Sequence, residues 1–409
     1  MALIVQKYGG SSVATPDKIK NIARRVIGAR SQGDDVIVVV SAMGDTTDEL
    51  LELASQITDD PQERETDMLI STGEQVSIAL LSMAIHALGC PVISLTGAQV
   101  GILTNPVHTK ARIVKVNSER IRDELKKGRI VIVAGFQGIN EHNDITTLGR
   151  GGSDTTAVAL AAALAADVCE IYTDVNGVYT ADPRIVPDAR KLAVVSYDEM
   201  LEMASLGAVV LQPRSVEYAK NYNVVIHVRS SYDSEPGTIV KEVGAVEKEL
   251  VVSGVTCDKK VAKLAILEVP DRPGIAYQVF AALAEANVNV DMIIQSIKRG
   301  DVNDISFTVA ESDLQKASGA MQRLSDRIGA GGVAYDSNVA KVSIVGAGLG
   351  GNPVVAAKTF GALAEKGINI EMISTSEIKI SCLLQAQKAD EAVQALHTAF
   401  ELAMAEKAS

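Results

Sequence analysis

An α/β protein with a mainly parallel sheet covered by helices on both faces, followed by two copies of a small α+β module, is predicted by three observations. Apolar, β-branched runs alternate with helical patterns over the first 245 residues, the mark of βαβ units. Those runs are continuously apolar rather than alternating, so both faces of the sheet are buried. Beyond them, residues 282–293 (ALAEANVNVDMI) return as residues 362–373 (ALAEKGINIEMI), and Pro273 matches Pro353 at the same offset of 80. Each copy follows an apolar strand and precedes a helix, so one supersecondary unit occurs twice.

The first six strands are expected at residues 3–6, 36–40, 91–95, 130–134, 169–172 and 224–228. Helices are expected between them at 16–31, 45–57, 73–88 and 153–166, each opened by Pro, Asp, Ser or glycine-rich sequence. The turn-rich stretch 230–237 and the charged stretch 241–249 place a junction near residue 245. This divides the chain into 1–245 and 246–409, with the repeated modules at about 264–336 and 341–409 and the strand near 250–256 joining the second.

Composition narrows the function. At 409 residues and 47% hydrophobic content the chain exceeds one ordinary core. A net charge of −12, 3% aromatic content and no tryptophan argue against nucleic acid as a bulk partner. The longest aliphatic run, residues 157–166, falls short of the roughly 20 residues that cross a bilayer. The opening residues lack the ordered parts of an export signal, so a cytoplasmic location is expected. Cys90, Cys169, Cys257 and Cys382 show no Cys-x-x-Cys spacing, so neither a zinc site nor a disulfide framework is expected.

Unusual polar residues follow the strands, where ligands bind in open parallel sheets. Lys7, Tyr8, Gly9 and Gly10 end the first strand; the pattern fits a phosphate cradle or, equally, a plain turn, and it is not a Walker A loop. Ser41 and Thr47 follow the second strand and either hold a carboxylate or cap a helix. Glu74 at a helix start either grips an ammonium group or favours the helix dipole. The densest segment is residues 146–156, TTLGRGGSDTT: Arg150 suits a carboxylate, Gly152 and Ser153 expose binding groups, and Asp154 can orient Lys7. Residues 173–184, TDVNGVYTADPR, follow the next strand with the chemistry of a nucleotide cradle or of ordinary turns. These groups together suit phosphoryl transfer to a carboxylate, which needs no strong general base. The scattered His86, His108, His142, His227 and His397 fit that reading as structural residues.

Taken in order, residues 7–12, 41–47, 73–74, 149–154 and 173–184 resemble the motif set of the aspartate kinases in the amino acid kinase superfamily, and the carboxyl repeat resembles paired ACT domains. The resemblance implies the amino acid kinase fold, followed by two ACT modules. It implies ATP-dependent phosphorylation of the aspartate β-carboxylate, with Mg²⁺ bridging the ATP phosphates. Lys7, Arg150 and Asp154 would be catalytic; Ser41, Thr47, Glu74, Arg150, Gly152 and Ser153 would contact aspartate. Around ATP would stand Lys7, Tyr8, Gly9, Gly10, Thr173, Asp174, Tyr179, Thr180, Ala181, Asp182, Pro183 and Arg184. It further implies feedback by lysine, threonine or both, with Asp271, Gly274, Ala276, Asn289, Asp291, Gln295, Asn369 and Ile370 as effector contacts. Family members form homo-oligomers or assemble with a separately made regulatory subunit. One competing motif, the Gly-x-Gly-x-x-Gly at residues 346–351, has the glycine spacing of a dinucleotide site but too little chain after it, and falls inside the second repeat.

Overall fold

A computed structural model of the chain describes residues 2–208, 210–243, 252–297 and 300–403. Two compact units result: Met1–Val178 with Lys191–Ala204 and Val209–Glu247, and Tyr179–Arg190 with Ser205–Ala208 and Lys248–Ser409. The junction expected near residue 245 lies outside the described residues. Two loops placed in the catalytic half by sequence, Tyr179–Arg190 and Ser205–Ala208, group instead with the second unit.

All six expected strands form in the first unit, within an eight-stranded sheet. Its order is Val194–Ser196, Thr238–Lys241, Ile226–Ser230, Val168–Thr173, Leu3–Tyr8, Asp35–Val40, Ile130–Ala134, Val92–Leu95. Every neighbouring pair is parallel except Ile226–Ser230 with Thr238–Lys241. Asp35–Val40 and Ile130–Ala134 are buried along almost their whole length, as their aliphatic runs demand. Helix Pro16–Ser31 starts as its sequence dictates: the Thr15 hydroxyl accepts from the Lys18 amide, Pro16 fills a position that needs no donor, and Asp17 meets the helix dipole. Residues Glu63–Ala87 are long and apolar enough to count as a membrane span. The stretch breaks at Ser71, however, and its second half packs Ile78, Leu81 and Ile85 into the sheet core.

The pattern gave no sign of helix Glu119–Lys126 or of a small four-stranded sheet made by Ile113–Val116, Ile102–Thr104, Gln137–Ile139 and Ile145–Thr147. The helix is mostly charged, and strands of three or four residues are too short to display a period.

In the second unit, six strands form one sheet in the order Ile293–Gln295, Val302–Ala310, Gly254–Pro270, Gly332–Val345, Lys379–Gln385, Met372–Ser376. The two long central strands serve both repeats. Residues 254–258 of Gly254–Pro270 pair with residues 345–341, whereas residues 261–267 pair with 339–332 and with Val302–Ala310. Each repeat has its own core, one around Leu264, Val279, Phe307 and Met321, the other around Val342, Leu363, Leu384 and Val393. Where the repeats meet, Val261, Met292, Val339, Met372 and Leu383 form a third cluster.

Reciprocal ion pairs flank that meeting point. Lys341 of the second repeat pairs with Asp291 of the first, and Lys263 Nζ of the first lies 2.9 Å from Glu371 Oε2 of the second. Asp291 and Glu371 are equivalent positions of the repeat, so each module's acid is held by the other's lysine. The Lys341 side chain is buried and Asp291 half exposed. Asp291→Ala is therefore expected to cost about 2 kcal/mol, below the ~3–5 kcal/mol of a fully buried pair, because it strands the ammonium. A lower urea midpoint at unchanged slope would show it. Lys341→Met, which removes the charge with the pair, should be nearly neutral.

Candidate active site

At the carboxyl ends of the first unit's central strands, successive loops touch. Ser41 donates its amide to Tyr8 O at 3.1 Å, and Gly135 donates to Val40 O at 3.0 Å. Glycine permits the closeness. A Cβ on Gly10 would stand 2.8 Å from Ala42 O, one on Gly73 2.8 Å from Ala42 Cβ, and one on Gly135 2.6 Å from Ser153 Oγ. The starts of helices Thr72–Ala87 and Gly152–Leu164 are thereby drawn to one place above the sheet.

Lys7 and Asp154 meet there. Lys7 Nζ lies 2.6 Å from Asp154 Oδ1, with the side chains 12% and 9% exposed. The approach lies off the hydrogen-bond axis, so charge rather than a directed bond holds the pair. Even a Cβ on Gly9 would come within 3.4 Å of Nζ, so glycine here leaves that flank of the ammonium open. Asp154 occupies the first turn of its helix, where the amides also favour an anion.

Glu74 is 3% exposed. Its Oε1 accepts from the Ala42 amide at 3.1 Å, and its buried Oε2 has no partner among the described residues. Desolvation pushes its carboxyl up to about 7, against the opposing pull of hydrogen bonds from the Glu74 and Ala42 amides. A buried acid satisfied on one oxygen is poised for a cation. Ser41 and Thr47 are partly exposed, Ser41 next to Ala42 and Thr47 in the first turn of helix Thr46–Ile57. Arg150 is exposed between Gly149 and Gly151, whose φ values of 76° and 72° favour glycine. A Cβ on Gly151 would run into Gln212 at 1.9 Å. Arg214, which no motif singled out, anchors the same loop by donating to Leu148 O at 2.9 Å and to Ala111 O at 2.6 Å.

The amino acid kinase family matches residues 2–230, and ACT domains match residues 264–329 and 342–400. The aspartokinase of Mycolicibacterium smegmatis is 54% identical, over 98% of this chain and 97% of its own. The aspartate kinase of Pseudomonas putida is 52% identical, over 98% of both chains. The chain belongs to the aspartokinase family. Among solved structures, Escherichia coli aspartokinase III in complex with aspartate and ADP superposes with a TM-score of 0.80 at 26% identity, over 97% of this chain and 99% of that one.

Several residues expected at this aspartokinase site are placed otherwise. The Tyr8 ring is fully buried, stacked on Tyr172 at 4.6 Å, and its hydroxyl donates to Gln6 Oε1, so the side chain points into the core. Thr180 and Ala181 are buried in the second unit, and the Thr180 hydroxyl is spent on His397 Nε2 at 3.0 Å, Leu402 O and the Arg190 amide. Asp182 and Arg184 form a forked pair with each other, while Tyr179 packs against the second repeat's core and Pro183 is exposed. Thr173 and Asp174 stay with the first unit, just past strand Val168–Thr173, their side chains joined at 3.0 Å.

A cavity of about 390 Å³ in the first repeat is lined by Asp271, Gly274, Ala276, Gln295 and Asn303, among others. Asn303, absent from the sequence expectations, is 3% exposed, with no partner for Oδ1 among the described residues and Nδ2 donating to Asp271 at 3.3 Å. Four expected effector contacts do not line this cavity. Asp291 is held by Lys341, Asn289 and Asn369 are exposed, and Ile370 packs on the second repeat's core. In the second repeat the glycine segment 346–351 donates the Gly346 amide to Ile378 O and the Leu349 and Gly350 amides to Glu377 O. Those amides are spent on the turn between strands Met372–Ser376 and Lys379–Gln385, which removes the dinucleotide alternative.

Proposed function

We propose that this aspartokinase transfers the γ-phosphoryl group of ATP to the β-carboxylate of L-aspartate, yielding 4-phospho-L-aspartate and ADP, as the entry step toward lysine, threonine and methionine. The observation that carries the reading is the close Lys7–Asp154 pair, taken with the buried Glu74 carboxyl whose Oε2 has no partner among the described residues. The E. coli neighbour's complex with aspartate and ADP supports aspartate as the acceptor and an adenine nucleotide as its companion.

In this reading Arg150 grips the α-carboxylate, Glu74 the ammonium group, and Ser41 and Thr47 complete the contacts. The β-carboxylate, ionised at neutral pH, attacks the γ-phosphorus without a base. Its oxygen forms the new P–O bond while the bond to the β-phosphate oxygen breaks, and ADP leaves with that electron pair. Lys7 offsets charge on the transferred group, and Asp154 keeps the ammonium in place. Among the described residues no group of three ligating side chains stands ready for a metal. When bound with ATP, Mg²⁺ would neutralise phosphate charge. An ATP-dependent hydroxamate assay with aspartate tests the reaction; absence of aspartyl phosphate refutes it.

We read the first repeat's cavity as the site of a feedback effector, lysine or threonine, whose ammonium group Asn303 Oδ1 would accept and Asp271 would attract. Asn303→Ala is expected to raise the effector concentration for half-inhibition about tenfold at unchanged kcat. Titrating lysine and threonine singly and together checks it, and no response to either ends the regulatory reading. We place the enzyme in the cytoplasm, as its unpatterned cysteines suit, and expect two chains to associate through the regulatory half. There the edge strand Ile293–Gln295 exposes Ile293, with Ile297 exposed beyond it.

A further inference from the structure

One charged group in the first unit is fully buried and belongs to none of the roles above. Asp67, 0% exposed, sits in helix Glu63–Ile70. Its carboxylate accepts from three separate places. Thr147 Oγ1 donates to Oδ1 at 2.5 Å, the Thr109 amide reaches both oxygens at 3.1 and 3.0 Å, and His108 Nδ1 lies 2.7 Å from Oδ2. Burying a carboxylate is costly unless it is paired and hydrogen-bonded. Here the pairing ties one helix to two loops far apart in sequence.

Both ends of the tie lead to substrate-gripping residues. Helix Glu63–Ile70 is joined through Ser71 alone to helix Thr72–Ala87, which presents Glu74 in its first turn. Gln137 Nε2 holds that joint by donating to Ser71 O at 2.8 Å. On the other side, Thr147 ends its strand two residues before Gly149 and three before Arg150. Thr109, held at a φ of 60°, carries the carbonyl that a Cβ on Gly149 would approach to 3.0 Å. Backbone bonding closes the arrangement, as Ala111 N donates to Thr147 O at 2.9 Å. Asp67 is thus the shared anchor of the element carrying Glu74 and the loop carrying Arg150.

We infer that Asp67 is a positioning residue that fixes the separation between the ammonium grip of Glu74 and the carboxylate grip of Arg150, and so sets selectivity for an α-amino acid of aspartate's dimensions. The inference rests on the proposed roles of Glu74 and Arg150. A ligand held at both ends tolerates little error in their spacing, since even small misplacement forfeits binding and alignment. An apolar residue at position 67 would pack the helix, but it would not orient two loops against it.

Asp67→Asn tests this with almost no change in volume. One carboxylate oxygen becomes an NH₂, which accepts no hydrogen bond: at Oδ1 it forfeits the Thr147 donor, and at Oδ2 it faces the Thr109 N–H, so either placement loosens one of the ties. Expected is a rise of about tenfold or more in KM for aspartate, with KM for ATP within about twofold and kcat reduced much less. Thr147→Val, which removes one leg and preserves shape, should raise the same KM by about threefold to fivefold. It also carries the test should Asp67→Asn fail to fold. Discrimination against glutamate should shrink in both variants. Folded variants with unchanged KM for aspartate, or with both KM values and kcat lost in proportion to melting temperature, would overturn the inference. Arg150→Ala run alongside separates the two readings. If it raises KM for aspartate and Asp67→Asn does not, only the positioning role fails; if Arg150→Ala leaves KM unchanged, the grip itself is wrong and the inference falls with it.

Discussion

Lys7→Ala should lower kcat by about 10²–10³-fold while KM for aspartate moves by no more than about threefold, because in the proposed reaction Lys7 meets charge that develops on the phosphoryl group rather than the bound amino acid. That split follows from the proposed roles. Lys7 Nζ is directed by Asp154 from a helix start, and the residues assigned to aspartate lie on the Ser41, Glu74 and Arg150 loops. Removing Lys7 also strands Asp154, whose Oδ1 is buried. Some loss of stability is therefore expected too, so melting curves must accompany the kinetics. Asp154→Asn should cost less than Lys7→Ala, since the lysine remains but is no longer held. The double variant Lys7→Ala/Asp154→Asn should match Lys7→Ala in kcat, as residues acting as one unit are not additive. A Lys7→Ala enzyme with near-normal kcat, or independent additive losses, would remove Lys7 from the transition state.

The groups assigned to the proposed site could be picked out in sequence because each sits where a local pattern changes: Lys7 at the end of an apolar strand, Glu74 at a helix start, Arg150 and Asp154 in a glycine-dense loop before an alanine-rich helix. What escaped notice depends on contacts between distant residues. Thr180 reads as a nucleotide-loop hydroxyl, yet its partner His397 lies 217 residues away. Tyr8 reads as part of the cradle, but strand alternation turns its ring to the opposite side from Lys7, onto Tyr172. Asp67 and Asn303 left faint signals, an acid just before the apolar Met68-Leu69-Ile70 and an amide inside a β-branched strand. Polar residues in such surroundings are expensive without partners, and that cost was the clue. The repeat was plain at the sequence level, whereas the shared central strands and the crossed Lys263–Glu371 and Lys341–Asp291 pairs follow from sheet pairing.

Glu74 should make aspartate capture depend on pH in a window set by its burial. Its carboxyl is raised from the ordinary 4.5 to about 7, chiefly by desolvation. Below about 7 the free enzyme therefore holds Glu74 neutral, and a neutral acid attracts an ammonium group weakly. The logarithm of kcat/KM for aspartate should climb with a slope near one up to pH about 7 and then level off. The plot for kcat should be flatter, because bound ammonium draws the proton off and shifts the ionisation downward. Glu74→Gln should abolish the inflection and lower kcat/KM by about 10²-fold, the scale of one lost charged hydrogen bond. Stability supplies an independent readout. Between 4.5 and about 7 the unfolded chain has released this proton while the folded chain retains it, so stability falls as pH rises through that window and stays lower above it. Glu74→Gln should accordingly melt higher than the natural protein at pH 8 and alike at pH 4.5, with saturating aspartate reversing the order at pH 8. Parallel melting curves at every pH, or an inflection that survives in Glu74→Gln, would assign the titration to another group and leave the ammonium grip without its charge.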